Sequence, residues 1–296
     1  MKITFLGTSS MVPTKDRNQI AILLSYKNEK ILIDCGEATQ KQMRIAKISP
    51  AKLTKILITH WHPDHVLGLP GLINTMGKCE YKKTLEIYGP KGTKKYIEAL
   101  QQCFIRQTNI KYTVKEIDEG VFFENEEFRL ESIKLNHSCL CLGYNFIEKD
   151  RLNIDKDKLK KLKIKPGPIL KKLQQGEDIE YDGKKIKASS LTKRKKGRKI
   201  SIVLDTAPTP NIVKLAKDAD VLISEATHLD DIRDKAEKYK HMTAKQAAQQ
   251  AKKAKVKKLV LTHYSQRYTK LDRIKKEASK EFKNVVCSKD FMELTV

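Results

Sequence analysis

The chain has 296 residues, of which 40% are apolar, so it can bury a sizeable core; with 60 Lys and Arg against 36 Asp and Glu its net charge is +24. That length suits one large domain or two fused halves, and no run approaches the ~18 apolar residues that span a bilayer. The charge attracts polyanions, nucleic acid foremost.

The opening "MKITFLGTSS" has too short an apolar stretch for a signal peptide and reads as a first strand. "IAILLSY" and "KILIDCG" are further strands, and "ATQKQMRIAKI" has helical spacing. "LTKILITH" is a buried strand ending at a histidine cluster, followed by the helix "PGLINTMGKC". "TLEIYGP" is a strand, "KGTKKYIEALQQCF" a helix, and "YTVKEI", "VFFE", "EFRLESIKL" and "CLGYNFIE" are strands. Residues 149–199 break this rhythm: they carry 19 Lys/Arg and 7 Asp/Glu, half of the excess charge. Their Pro166-Gly167-Pro168 turn and surrounding apolar positions argue for a fixed shape within a basic insertion. Strand and helix then resume with "ISIVLDT", "PNIVKLAKDA", "DVLISEAT", "TAKQAAQQAKKA" and "KKLVLTHYS", and a helix and one last strand, "VVCSKDFMEL", close the chain. The six cysteines show no disulfide framework and read as free, mostly buried thiols of a reducing cytoplasm, with Cys139 and Cys141 alternating on a strand.

Three of the seven histidines, with one aspartate, fall in six positions: His60, His62, Asp64 and His65. Buried together without partners they would cost several kcal/mol, whereas a cation satisfies them. Imidazole and carboxylate suit zinc. His60 and His62 can point together from a strand end, while Asp64 and His65 face a second position, so the spacing favours two ions of the kind that hydrolyse phosphoesters. His137, Asp205 and His263 each end an apolar run and supply further ligands; Asp205 is the natural bridge.

These residues resemble the metallo-β-lactamase superfamily and, within it, the ribonuclease Z family of tRNA 3′-processing endonucleases. H-x-H-x-D-H marks only the superfamily. "FLGTSSMVPTKDRN", with P-x-K-x-R-N at Pro13, Lys15, Arg17 and Asn18, then "DCGEATQKQ", "SEATH", "HMTAKQAA" and "LTHYSQRY" narrow it. The sequence departs at Ser224, usually histidine, at Leu204, usually glycine, and at His228, usually apolar.

The resemblance implies an α/β fold, a four-layer αβ/βα metallo-β-lactamase sandwich, as a single domain over 1–296 with residues 149–199 inserted as a tRNA-binding arm. It implies two Zn2+ per chain (or Mn2+ or another divalent ion), one on His60, His62 and His137, the other on Asp64, His65 and His263, with Asp205 shared. Asp64, Glu225 and His241 would be catalytic: Asp64 orients the nucleophile, and His241, held by Glu225, serves the leaving or non-bridging oxygen. Lys15, Arg17 and Asn18 would hold the RNA's 3′ segment, and Gly167 and Pro168 the tRNA elbow. The expected substrate is precursor tRNA, cut to leave a 3′-hydroxyl on the tRNA and a 5′-phosphate on the trailer, by a cytoplasmic homodimer with no membrane association. Competing expectations are another hydrolase of the superfamily, a phosphodiesterase or arylsulfatase-like enzyme, and a non-catalytic RNA-binding module.

Overall fold

The computed structural model describes residues 1–103, 110–165 and 167–296; Phe104, at the end of one expected helix, and Pro166 of the expected turn lie outside them. Among these residues the chain divides into two compact units, one of residues 1–123, 130–146 and 199–296, the other of 124–129 and 147–198.

The first unit is built on two seven-stranded mixed sheets. In one, the order across the sheet is Glu293–Thr295, Lys2–Gly7, Ala21–Tyr26, Glu29–Ile33, Lys55–Leu57, Thr84–Gly89 and Lys111–Glu116. In the other it is Val285–Cys287, Leu259–Thr262, Val221–Glu225, Lys199–Val203, Cys141–Glu148, Phe128–Leu135 and Gly120–Glu124. The central strands, such as Leu259–Thr262, are buried along their whole length, as strands covered on both faces must be. On one face the first sheet packs Leu32, Ile56, Leu85 and Ile87 against Met43, Leu72, Met76 and Ile97 of helices Thr39–Ile45, Leu69–Lys78 and Thr93–Gln102. The second sheet does the same with helices Pro210–Ala216, Ala244–Lys253 and Asp272–Glu281. The sheets meet through aromatic side chains: the Tyr26 and Phe146 rings lie 5.2 Å apart and the Tyr144 hydroxyl donates to the Ile58 carbonyl at 2.6 Å. The layers therefore run helix, sheet, sheet, helix.

Four of the close-packed strands in each sheet run parallel, Glu29–Ile33 to Lys111–Glu116 in the first and Lys199–Val203 to Val285–Cys287 in the second. Parallel strands deliver the loops at their C-terminal ends to one rim. Asp34, His60, Asp205, Glu225 and His263 all stand at or just beyond such ends.

Two expectations need correction. "VVCSKDFMEL" is not one strand: Val285–Cys287 belongs to the second sheet and Glu293–Thr295 to the first. The chain crosses between them because Asp290 is held there, accepting from the Thr8 hydroxyl at 2.7 Å, the Asn18 amide at 2.8 Å and Gln42 Nε2 at 3.0 Å. Cys139 precedes its strand, which starts at Cys141, and Cys79, Cys103 and Cys139 are exposed, so the thiols are not mostly buried. Among the described residues no helix is long and apolar enough to cross a membrane.

The second unit has its own small core of Leu159, Ile164, Leu173, Ile179, Ala188 and Leu191. Strands Arg151–Ile154 and Thr192–Lys195 pair antiparallel, as do Ile179–Tyr181 and Lys184–Ile186. The latter hairpin turns on Asp182 (φ 50°) and Gly183 (φ 68°), the Asp-Gly pair that tolerates two left-handed residues. Asp155 caps helix Lys156–Lys161 by accepting from the amides of Asp157 and Lys158. Gly167 and Pro168 are exposed at the start of helix Ile169–Gln174.

Candidate metal centre

Seven side chains converge at the rim of the first unit. His60, His62, His137 and Asp205 present donor atoms within 4.8 Å of one another, and Asp64, His65 and His263 do likewise. Asp205 lies between the groups: its Oδ2 is 3.7 Å from His60 Nε2, 3.7 Å from His137 Nε2 and 3.5 Å from His65 Nε2, and its Oδ1 is 3.1 Å from His263 Nε2. Asp64 Oδ2 is 3.4 Å from His65 Nε2 and 3.3 Å from His263 Nε2.

The surrounding hydrogen bonds fix which nitrogen each ring turns inward. His65 Nδ1 donates to Asp34 Oδ2 at 2.6 Å, and His137 Nδ1 to the Lys240 carbonyl at 3.1 Å. The Thr59 hydroxyl donates to Asp34 Oδ2 at 2.7 Å, so it accepts from His60 Nδ1 at 3.1 Å. The Thr227 hydroxyl donates to Glu225 Oε2 at 2.5 Å and accepts from His263 Nδ1 at 3.0 Å. Four imidazoles are thereby held by their Nδ1 protons with Nε2 facing inward, the orientation of metal-ligating histidines. His62 differs: its Nδ1 sits 3.2 Å from His137 Nε2, and two lone pairs so close need a proton or a cation between them.

The donor set fits a pair of divalent cations. Buried His60 Nε2, His65 Nε2 and Asp64 Oδ1 have no hydrogen-bond partner, a cost that a bound ion removes. Burial pushes the His60 and His62 imidazoles below their ordinary range, keeping them neutral as ligands must be. Burial opposes ionisation of Asp205, but the imidazoles around it, His263 and His65 first, outweigh that and hold the carboxylate well below its usual range.

Beside this group, His241 Nδ1 lies 3.1 Å from Glu225 Oε1 and 4.0 Å from Asp205 Oδ2. Burial would lower the His241 imidazole, yet these two carboxylates raise it to about 9. Glu225 is fully buried and also accepts from the Thr206 amide at 2.7 Å. His228 shares the cleft; burial pushes its imidazole down to about 4, leaving it neutral.

The expected RNA-holding residues have different surroundings. Lys15 is exposed and Asn18 half-buried, with Asn18 Nδ2 donating to the Glu37 carbonyl at 2.8 Å. Arg17 is buried, lies over the Tyr264 ring and donates to the Ser265 carbonyl at 3.3 Å, so its guanidinium ties this loop to the one after His263. Gly167 and Pro168 belong to the other unit.

Sequence reasoning assigned no role to Asp34, Thr59 or Thr227. Asp34 ends an apolar run just as Asp205 does, and that signal could have found it. A cleft of about 490 Å³ opens over the centre, walled by Met11 and Val12 on one side and by Lys235, Lys238, Tyr239 and Arg267 elsewhere.

Comparison with known proteins follows the same lines. The family model described as Anti-Pycsar protein Apyc1 matches residues 1–164. A ribonuclease Z of Methanosarcina mazei is 39% identical over 301 residues, covering 100% of this chain and 98% of its own. The crystal structure of human tRNase Z, short form, superposes with a TM-score of 0.74 at 29% identity, covering 100% of this chain and 99% of its own. The metallo-β-lactamase fold protein YhfI of Bacillus subtilis, at 19% identity and a TM-score of 0.71 over 99% of this chain and 98% of its own, shares the fold.

Proposed function

Because the chain belongs over its full length to the ribonuclease Z family of metal-dependent nucleases, and over residues 1–164 to the family of the Anti-Pycsar protein Apyc1 model, we propose that it removes the 3′ trailer from precursor tRNA. The observation that carries this reading is that the likeness to a tRNase Z spans 100% of the chain, basic insertion included, rather than the metal-binding half alone.

His60, His62 and His137 would hold one ion, Asp64, His65 and His263 the other, with Asp205 shared; we take both as zinc. When bound, such a pair supplies a water nucleophile at neutral pH and neutralises charge on the phosphoryl oxygens. The chain's own residues do the rest. Asp64 Oδ1, buried and without a hydrogen-bond partner, is placed to accept the nucleophile's proton. Glu225 takes the Nδ1 proton of His241 in a hydrogen bond, so Nε2 is the nitrogen left to serve the leaving 3′ oxygen. Departure of that oxygen leaves a 3′-hydroxyl on the tRNA and a 5′-phosphate on the trailer. Lys15 reaches the RNA, while Arg17 and Asn18 hold its loop in shape. The arm of residues 149–199, with Gly167 and Pro168 exposed on it, binds the tRNA by phosphate and shape rather than base edges. The enzyme acts in the cytoplasm as a homodimer in which one subunit's arm serves the other's centre.

Incubation with a 3′-extended precursor tRNA and zinc or manganese tests this. The expected result is cleavage just after the acceptor stem, yielding the stated ends. No such cleavage, with efficient hydrolysis of a small phosphodiester, would overturn the tRNA assignment in favour of a small-molecule phosphodiesterase. Deleting residues 151–196 should raise KM for precursor tRNA far more than for a small chromogenic ester; equal losses on both would make the arm structural. Light scattering that gives a monomer mass would overturn the dimer.

A further inference from the structure

Tyr239 is an aromatic ring left in the open beside the metal centre: it is 52% exposed and lines the cleft. It closes helix Arg233–Lys238, whose Ala236 is buried while Lys235, Lys238 and Tyr239 all face the cleft. Positions i, i+3 and i+4 share one side of a helix, so a single turn presents two ammonium groups and a ring together. Lys238 Nζ lies 5.8 Å from the Tyr239 ring centroid. Among the described residues neither lysine forms an ion pair with a carboxylate. Core packing therefore does not account for the ring, nor ion pairing within the fold for the lysines.

The chemistry of this surface selects its occupant. The face of an aromatic ring is electronegative, so Tyr239 does not attract phosphate oxygens; Lys235, Lys238 and Arg267 do. A nucleobase has the planar face that such a ring takes up, and cations for the backbone beside an aromatic side chain for the base are the parts of a single-strand binding site. The position along the strand follows from the chain. Tyr239 lies two residues before His241, and the His241 amide donates to the Ala236 carbonyl at 2.8 Å, so the same turn carries both side chains. His241 serves the leaving 3′ oxygen, which belongs to the nucleotide on the 5′ side of the scissile phosphate. We propose that Tyr239 is a specificity-determining residue that stacks on the base of this nucleotide and holds it beside His241. This rests on the RNA-cleaving reading above and adds to it a requirement for an unpaired base at the cut.

The test uses the zinc-loaded protein and three precursor tRNAs: one intact, one abasic at the nucleotide 5′ of the cut, and one abasic at the nucleotide 3′ of it. The wild-type protein should lose roughly five- to tenfold in kcat/KM on the 5′-abasic substrate, the lower end of what a base stacked on an aromatic side chain contributes, and less than twofold on the 3′-abasic one. The loss should fall on KM more than on kcat. Tyr239→Ala should lose as much on the intact substrate and show no further loss on the 5′-abasic one. Tyr239→Phe, which keeps the ring, should stay within twofold of wild type on all three. Tyr239→Ala as sensitive to the 5′-abasic substitution as wild type, a wild type indifferent to that substitution or more sensitive to the 3′ one, or Tyr239→Phe as impaired as the alanine variant would each overturn the proposal. A wild type that cuts no precursor RNA at all would overturn the underlying function, and the proposal with it.

Discussion

Asp34→Asn changes almost nothing in volume and removes only a charge and an acceptor. Asp34 is fully buried; its Oδ2 lies 2.6 Å from His65 Nδ1 and 2.7 Å from the Thr59 hydroxyl, and its Oδ1 accepts from the Thr59 amide at 2.8 Å. Asparagine can keep the last bond through its carbonyl, which turns its NH2 toward His65 and Thr59. His65 then has to carry its proton on Nε2, the atom that would otherwise face the ion. Thr59 can no longer donate to position 34, so His60 loses its fixed orientation too. Residue 34 has φ 55°, a conformation that asparagine adopts as readily as aspartate, so backbone strain does not confuse the result. Loss of one such supporting partner lowers metal affinity about 10–100-fold, or roughly 1.4–2.7 kcal/mol. With two histidines disturbed, the upper end is expected. Competition with a chelating zinc indicator measures it, and a melting curve of the metal-free variant checks folding. Zinc affinity within twofold of wild type, with unchanged turnover, would refute the argument that Asp34 sets the His65 tautomer.

Asp205→Ala should abolish turnover and leave fewer than two ions per chain by metal analysis, because its carboxylate lies between both donor groups. Thr227→Val should lower turnover about tenfold with a modest loss of stability, since its hydroxyl joins Glu225 to His263; kinetics at saturating zinc check this. Gly68→Ala should destabilise the fold and weaken metal binding together, because a Cβ there would lie 2.0 Å from the Gly36 carbonyl oxygen; thermal unfolding and metal content read both. Leu173→Ala, in the core of the second unit, should cost about 2–5 kcal/mol locally. It should expose the arm to protease while the metal content stays at the wild-type level. Cleavage of tRNA should fall steeply as salt rises, as phosphate contacts require.

The convergence of His60, His137, Asp205 and His263 was legible because each ends an apolar run, and strands of an α/β sheet bring such ends to one rim. His137, Asp205 and His263 lie far apart in sequence, yet all follow that rule. Asp34 obeys it equally, but its role depends on His65, 31 positions away, and no local pattern shows that a carboxylate will meet the back of an imidazole. Thr59 and Thr227 are hidden for a similar reason: a threonine just beyond a strand end is ordinary, and only the direction of its hydroxyl proton gives it meaning. The arm was visible through its charge and not through its shape. Leu159, Ile164, Leu173, Ile179 and Leu191 gather from helices, hairpins and loops with no common period. The final segment misled because "VVC" and "MEL" both favour strands, while the choice of sheet is set by Asp290 meeting Thr8, Asn18 and Gln42.

Asp34 and His263 share one further property: both sit in left-handed backbone, with φ of 55° and 59°, at a cost of ~1 kcal/mol each relative to glycine. Glycine at either position would relax the backbone, but it would leave buried groups without partners: His65 and Thr59 around position 34, Thr227 beside position 263. Each such loss costs about 1–3 kcal/mol, more than the strain returns. The strained turn and the polar contacts it allows are therefore inherited together, and neither position can be made more comfortable without unpicking its neighbours.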